Sequence, residues 1–172
     1  MQTINNPINI HKIVMCANMI VKKGDKFLVL KRSLNKKIDP GKLHFSGGKV
    51  DPNEEPLCAA QRELFEETGL KVDNIRLEAV ITELSPYQHG ENWLVFYFSG
   101  IYKSGKLKES PEGEFLWLNK KEIIDQRQNL IPSVRVIIDY ILDINQGTVF
   151  ASFIHDGLEK VISKDFQICS TG

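Results

Sequence analysis

One acidic segment, Gly48 to Leu70, constrains this chain more than any other part of its 172 residues. Within it, the run Arg62-Glu63-Leu64-Phe65-Glu66-Glu67 places three carboxylates in two helical turns beside one arginine. On a helix, Glu63 and Glu67 are four residues apart and Glu66 is three from Glu63, so all three project from one side. Like charges at that spacing repel by about 0.2–0.5 kcal/mol per pair on an isolated helix. A hard divalent cation, which prefers oxygen ligands, is the obvious group to offset that repulsion.

The opposite side of this helix is predicted to be apolar. Leu57, Ala60 and Leu64 follow the helical period, and Cys58 with Phe65 widens the stripe. The helix is therefore expected to pack through the stripe and to present its carboxylates on the other side.

Residues that suit helix termini mark both ends of the helix. Asn53 is a candidate N-cap, Pro56 is tolerated in the first turn, and Gly69 is expected to end the helix. Ahead of the helix, Gly47 and Gly48 allow backbone conformations that other residues resist, so a peptide group there can approach a metal or a phosphate closely.

The same segment fills every fixed position of a known motif, G-x5-E-x7-R-E-U-x-E-E-x-G-U, in which U is a bulky aliphatic residue. The matching residues are Gly48, Glu54, Arg62, Glu63, Leu64, Glu66, Glu67, Gly69 and Leu70. This motif is the Nudix box, and the chain resembles the Nudix hydrolases, with similarity to members of the MutT type. Nudix enzymes hydrolyse a diphosphate linked to another moiety, using Mg²⁺ or Mn²⁺. The signal is highly specific, although the box covers only a small part of the chain.

The resemblance implies a role for each polar position of the box. Three carboxylates are implied to bind the metal: Glu63, Glu66 and Glu67. The backbone around Gly47 and Gly48 is implied to assist them. Arg62 is implied to orient a carboxylate by ion pairing, and Glu54 to assist through the helix start or a metal-bound water. Mg²⁺ is the expected cofactor, with Mn²⁺ as the alternative.

The general base is left open between two regions of the chain. In this family the base is sometimes a glutamate of the box and sometimes an acid of a distant loop. The loop candidates here are Glu112 and Glu114, in Ser110-Pro111-Glu112-Gly113-Glu114. The sequence does not choose among Glu66, Glu67, Glu112 and Glu114.

Composition and charge limit which binding partners and which cellular compartment are expected for this chain. The formal net charge is +0, so no basic bias points to a nucleic-acid polymer. Cys16, Cys58 and Cys169 are far apart and form neither a metal motif nor a disulfide framework, which favours a reducing compartment. The apolar run 15–21 is too short to span a membrane, and the N-terminus lacks a signal pattern. We therefore expect a cytoplasmic protein that does not bind membranes.

The order of elements predicts one domain over residues 1–172. Strands alternate around the box helix, and a second helix over 132–142 has Val134, Ile137, Ile138 and Ile141 on its buried side. Periodicity alone gives mixed α and β structure, and the family resemblance implies an α/β/α sandwich with a mixed sheet. An added C-terminal β-hairpin, within 144–172, is predicted from 148–154 and 158–168 with a turn at Asp156-Gly157. An exposed edge of that hairpin could form a dimer, so a monomer and a homodimer both remain open.

Features outside the box favour a nucleoside triphosphate as substrate, including oxidised ones such as 8-oxo-dGTP. The lead-in 41–50 and the acidic loop followed by Trp117 are similar to those of members that clean the nucleotide pool. The products would be the monophosphate and pyrophosphate. His44 is a possible substrate contact, although a histidine beside apolar neighbours more often has a structural role. Four aromatic residues could stack on a base, although core packing is the more common role for each: Phe27, Tyr87, Trp93 and Trp117.

Two other functions stay open. A nucleotide-sugar hydrolase, for example one acting on ADP-ribose, is the alternative enzyme, because Pro86 resembles a proline of such relatives. A non-catalytic domain that senses nucleotides is the alternative of another class, although no box residue is missing.

Overall fold

Nine strands and three α-helices make up the described part of the chain, residues 12–84, 91–143, 147–156 and 161–169 of a computed structural model. The strands are β1 Ile13–Lys23, β2 Lys26–Arg32, β3 Leu43–His44, β4 Ser46–Lys49, β5 Lys71–Leu84, β6 Asn92–Ser104, β7 Gly113–Asn119, β8 Thr148–His155 and β9 Val161–Cys169. The helices are α1 Pro56–Thr68, α2 Lys120–Asp125 and α3 Pro132–Ile141, with a 3-10 turn at Arg127–Asn129.

The strands form one mixed sheet in the order β3-β2-β1-β6-β5-β8-β9, with β4 paired to β1 and β7 paired to β2. The pairs β1–β6 and β5–β8 are parallel, and the other pairs are antiparallel. Because β1 is hydrogen-bonded to β2, β4 and β6, it is an interior strand of the sheet. Its partner β4 is the strand that precedes the box helix, α1.

Each face of the sheet has its own core. On one face, Ala17 and Met19 of β1 pack with Leu64 of α1. On the other, Ile20 of β1 belongs to a cluster that includes Ile137 of α3. Helices on both faces of a mixed sheet confirm the predicted α/β/α sandwich.

Helix α3 follows its prediction closely. Its four predicted core residues, Val134, Ile137, Ile138 and Ile141, are all fully buried. Pro132 stands in its first turn, where a missing N–H leaves no hydrogen bond unmade.

The start of α1 differs from its prediction. The N-cap is Glu55, whose backbone is extended, and no side chain caps the helix. Asn53 lies two residues earlier with a φ of 66°, a left-handed conformation that asparagine tolerates better than most residues, so its predicted role as the cap was wrong. The end of α1 was predicted correctly, because Gly69 is the C-cap with a φ of 74° and donates its N–H to the Phe65 carbonyl.

The buried side of α1 is rotated relative to the predicted stripe. Cys58 and Phe65 are exposed, whereas Ala59 and Glu67 are buried together with Leu64. The prediction that Cys58 and Phe65 widen the apolar stripe was therefore wrong. Since α1 packs against β4 as well as β1, the contact surface turns toward the acidic side of the helix and takes Glu67 with it.

The added C-terminal hairpin is present. Strand β8 runs parallel to β5, and β9 returns antiparallel to β8 and forms an edge of the sheet. The predicted turn residue Gly157 and the first residues of the predicted second arm, 158–160, lie outside the described residues. No helix in the described ranges has the length and apolar character needed to cross a membrane.

Candidate active site

Arg62 is the hub of an ion-pair network on α1. Its Nε and Nη2 donate to the two carboxylate oxygens of Glu54 at 2.9 and 2.8 Å, and its Nη1 donates to Glu63 at 2.8 Å and to Glu66 at 3.4 Å. The hydrogen bonds from Arg62 lower the pKa of Glu54 to about 2. Arg62 thus holds Glu54 and Glu63 in fixed positions as carboxylates, the kind of ion pairing that the resemblance implied for it.

Glu67 is buried, whereas Glu66 in the Arg62 network is exposed to solvent. Its carboxylate accepts hydrogen bonds from the Ser46 hydroxyl at 2.5 Å and from the Gly47 N–H at 3.2 Å. Burial raises the pKa of Glu67 to about 7, and the neighbouring carboxylates of Glu112 and Glu63 act in the same direction. A buried carboxylate next to others is an unfavourable arrangement that a cation would relieve.

The two glycines of β4 are required by contacts that a larger residue would break. A Cβ at Gly48 would lie 2.6 Å from the carboxylate carbon of Glu63, and a Cβ at Gly47 would lie 2.4 Å from the Ala17 carbonyl oxygen. Gly47 also has a φ of 156°. The missing side chains let the backbone of β4 run directly beside the carboxylate of Glu63.

The carboxylate oxygens of Glu63 and Glu67 are ligands of the type that a hard divalent cation prefers. Glu63 and Glu67 both face β4, while Glu66 points to solvent as the outer member of the Arg62 network. In this arrangement no three acidic, histidine or cysteine side chains of the described residues converge on one point. Glu63 is held by Arg62 and Glu67 by Ser46, so the set fits Mg²⁺ or Mn²⁺ by donor type and by proximity to the β4 backbone.

A cavity of about 240 Å³ opens next to these glycines. Its lining includes both glycines of β4 and side chains from five other parts of the chain: Asn18, Asp39, His44, Trp93, Tyr97 and Glu112. Aromatic walls with a few polar groups are typical of a site for a small organic ligand.

His44 is a neutral imidazole in this cavity. Its Nδ1 lies 2.8 Å from the Phe45 carbonyl oxygen, so Nδ1 carries the proton and donates it there. Burial lowers the pKa of His44 to about 4. Its Nε2 therefore accepts, and the Tyr97 hydroxyl at 3.4 Å donates to it.

The two loop glutamates are separated by the structure. Glu112 lines the cavity and forms an ion pair with Lys36 at 2.6 Å. Glu114 is exposed, lies in β7 opposite Lys31, and lines a different groove. Only Glu112 of this pair is therefore near the box.

Some cavity residues were missed in the sequence. Asn18 is buried on β1 opposite Gly47, and its signal was a single polar residue within an apolar strand. Asp39 is buried in the loop after β2, and nothing local marks it. Among the aromatic candidates, Trp93 lines the cavity, Phe27 and Trp117 pack with the cores, and Tyr87 is outside the described residues.

Comparison with known proteins identifies the family and agrees with the fold. The family model of the NUDIX domain matches residues 10–140. The Uncharacterized Nudix hydrolase YvcI of Bacillus subtilis is 27% identical over 141 residues, which cover 79% of this chain and 83% of that protein. An RNA pyrophosphohydrolase of Bartonella henselae is 35% identical over 80 residues, 38% of this chain and 46% of that protein.

Solved structures show the same fold. A mMutator MutT protein from Bacillus halodurans superposes with a TM-score of 0.76 at 24% identity, covering 90% of this chain and 97% of that one. A NUDIX hydrolase from Nitrosomonas europaea gives a TM-score of 0.68 at 20% identity, covering 85% and 80%. With the complete box on α1 and the family match over most of its length, the chain belongs to the Nudix family and is a hydrolase that acts on pyrophosphate bonds.

Proposed function

We propose that the chain hydrolyses nucleoside triphosphates, including oxidised ones such as 8-oxo-dGTP, to the monophosphate and pyrophosphate. One observation carries the proposal: the carboxylates of Glu63 and Glu67 lie beside the Gly47-Gly48 backbone, and that backbone also lines an aromatic cavity. A nucleotide has the matching shape, with a polyphosphate at one end and a flat base at the other.

The polyphosphate end requires a cation. Mg²⁺, or Mn²⁺ in its place, would be held by Glu63 and Glu67 with the backbone around Gly47 and Gly48, and Glu66 would complete the set by turning its exposed side chain from Arg62 toward β4. The cation would neutralise phosphate charge and acidify a water. Arg62 keeps Glu63 and Glu54 in place for this task through its hydrogen bonds.

The reaction transfers a nucleotidyl or a pyrophosphoryl group to water. A water oxygen bonds to the α- or the β-phosphorus atom and the P–O bond that bridges these two atoms breaks. Attack at the α-phosphorus expels pyrophosphate, whereas attack at the β-phosphorus expels the monophosphate. A carboxylate accepts the proton of the water, and of the four candidates Glu67 and Glu112 are best supported because both lie near the cavity and the β4 glycines. Glu66 and Glu114 point away to solvent.

The base end is served by the cavity. Trp93 offers a face for stacking. The Nε2 of His44, which accepts from the Tyr97 hydroxyl in this structure, would accept a hydrogen bond from an N–H on a base edge in its place. Buried polar groups of this kind discriminate strongly, since a base without the matching donor leaves them unpaired. Guanine-type bases carry adjacent N–H donors and meet this requirement.

The proposal places the enzyme in the cytoplasm, acting on small nucleotides. Its three cysteines, Cys16, Cys58 and Cys169, lie far apart in the sequence and form no disulfide framework, a pattern that favours a reducing compartment. The neutral formal charge gives no attraction to a nucleic-acid polymer.

The test is a substrate panel with Mg²⁺ in water labelled with ¹⁸O. The panel contains the common nucleoside triphosphates, 8-oxo-dGTP, ADP-ribose and an RNA with a 5′-triphosphate. Monophosphate and pyrophosphate from free triphosphates, with ADP-ribose and RNA left intact, is the expected result, and the position of the label identifies the phosphorus attacked.

Other outcomes of the substrate panel would assign a different function to the chain. Cleavage of ADP-ribose alone would establish a nucleotide-sugar hydrolase, and the residue that favours it, Pro86, lies outside the described residues. Cleavage of the RNA end alone would match the activity named for the Bartonella henselae relative. Nucleotide binding without any cleavage would establish the sensor.

A further inference from the structure

On the α1 side of the sheet, a surface that no other described helix or strand covers extends past the helix across four adjacent strands. We call it the apolar shelf, and its members are Ile13 and Met15 of β1, Leu94 and Phe96 of β6, Val80, Thr82 and Leu84 of β5, and Phe150, Ser152 and Ile154 of β8. None of these ten side chains is charged, and eight are apolar.

The strand register places these residues on one face. Ala17 packs under α1, and Met15 is two residues away on the same strand, so both point to the same side. The register then runs from Met15 to Leu94, Thr82 and Ser152 across the four strands. A second row runs from Ala17 to Phe96, Val80 and Phe150.

The shelf is exposed where an apolar sheet face is ordinarily covered. Ile13 is 56% exposed, Met15 42%, Phe150 44% and Ile154 43%, and the remaining members are half-buried. Exposures of this order correspond to about 500 Å² of contiguous apolar surface, which lies in the upper part of the range of about 300–600 Å² for the largest apolar patch on a monomer, and such patches are often functional.

A second copy of the chain matches this surface in size. Two shelves face to face would remove about 1,000 Å² of apolar area from water, which equals the apolar share of a standard interface of about 1,600 Å². Flat apolar sheet faces pack well on each other, and a two-fold axis makes such a contact self-complementary.

The free edge of the sheet is less suited to self-association. Strand β9 carries Lys164 and Asp165 as exposed charges, a device that opposes the addition of a further strand. Asp165 pairs with Ser152 in the register and so gives the shelf a polar rim.

We propose that the apolar shelf is the contact surface of a homodimer, in which the shelves of two copies pack face to face. The cavity beside β4 is lined by Cys16, Val95 and Tyr97, which belong to the α3 side of the sheet, so both sites stay open in the dimer. The inference is independent of the substrate.

A matched pair of isoleucines tests the proposal. Ile154→Glu places a charge on the shelf, while Ile101→Glu changes an isoleucine of similar exposure, 40%, on β6 outside the shelf. Sedimentation equilibrium on the full chain measures the dissociation constant, and circular dichroism reports folding. Met15→Glu, at the far end of the shelf, provides a second variant that does not depend on the hairpin.

A micromolar or tighter dimer is expected for the wild type and for Ile101→Glu. Because a two-fold interface contains each substitution twice, Ile154→Glu and Met15→Glu are each expected to weaken the dimer at least a hundredfold while remaining folded. A wild type that is monomeric at 100 µM overturns the proposal, and so does a dimer that both folded shelf variants leave intact. If removing residues 1–11 turns a monomeric wild type into a dimer, the chain's own N-terminus covers the shelf and the proposal is wrong.

Discussion

Gly48→Ala separates the catalytic requirement for a glycine from the structural one. An alanine Cβ would lie 2.6 Å from the carboxylate of Glu63, against 3.4 Å for the closest ordinary contact, so that carboxylate must retreat by about 0.8 Å. A misplacement of about 1 Å at a reacting centre costs about a hundredfold in rate. We therefore expect kcat to fall about a hundredfold, which corresponds to about 2.7 kcal/mol of barrier.

The same substitution is expected to leave the fold almost unchanged. Gly48 does not have a positive φ, so alanine is compatible with its backbone and stabilises the chain by about 0.4–1 kcal/mol through the unfolded state. Moving the Glu63 side chain off its rotamer costs about 0.5–1.5 kcal/mol. The two effects nearly cancel, and Tm should stay within about 4 °C of the wild type.

The assay is kcat at saturating Mg²⁺ together with a thermal melt. Gly24→Ala is the control, since Gly24 has a φ of 63° and no atom within 4 Å of its Cβ position. That variant should lose about 1 kcal/mol of stability and keep its activity. Wild-type turnover by a folded Gly48→Ala protein would show that the position of Glu63 does not limit the reaction. A collapse of its Tm would show that the side chain cannot retreat.

Three further substitutions probe α1 and the sheet. Glu67→Gln should lower kcat at least a hundredfold in Mg²⁺ and should raise the Tm measured without metal at pH 8, because the amide removes a buried charge; near wild-type turnover would reject Glu67 as a metal ligand. Leu64→Asp buries a charge in the α1 core and should destabilise the chain by about 3 kcal/mol or more in urea, whereas a stable variant would mean that the helix faces are wrongly assigned. Glu78→Gln should raise Tm at pH 8 and leave it unchanged near pH 4. Burial raises the pKa of Glu78 above 4.5, so the unfolded chain releases its proton first and stability falls as pH rises through that window; an equal Tm gain at both values would contradict this.

Elements governed by local patterns could be predicted from the sequence. The burial of α3 follows from a 3.6-residue period, and the end of α1 from the need for a left-handed residue at Gly69. The start of α1 could not be predicted, because asparagine is suited both to a helix cap and to a left-handed turn. Only the path of the chain into the helix decides which of the two Asn53 adopts.

The site was predictable only as far as the box extends. Cys58 and Phe65 are exposed because the contact of α1 with β4 sets the orientation of the helix. The helical period of the sequence carries no information about that contact. The cavity also depends on the parallel pairing of β1 with β6, which brings Asn18 beside Tyr97 from far along the chain. Such long-range pairing leaves no local trace in either strand.

The two roles of Glu67 limit how the sequence of α1 can evolve. It joins α1 to β4 through Ser46 and Gly47, so a single carboxylate serves both as a structural strut and as a candidate ligand. A neutral or apolar residue there would relieve the burial of charge and make the empty protein sturdier at the expense of catalysis. Selection for robustness and selection for turnover therefore act in opposite directions on the same helix, and gains in stability that preserve activity must come from elsewhere in the sheet.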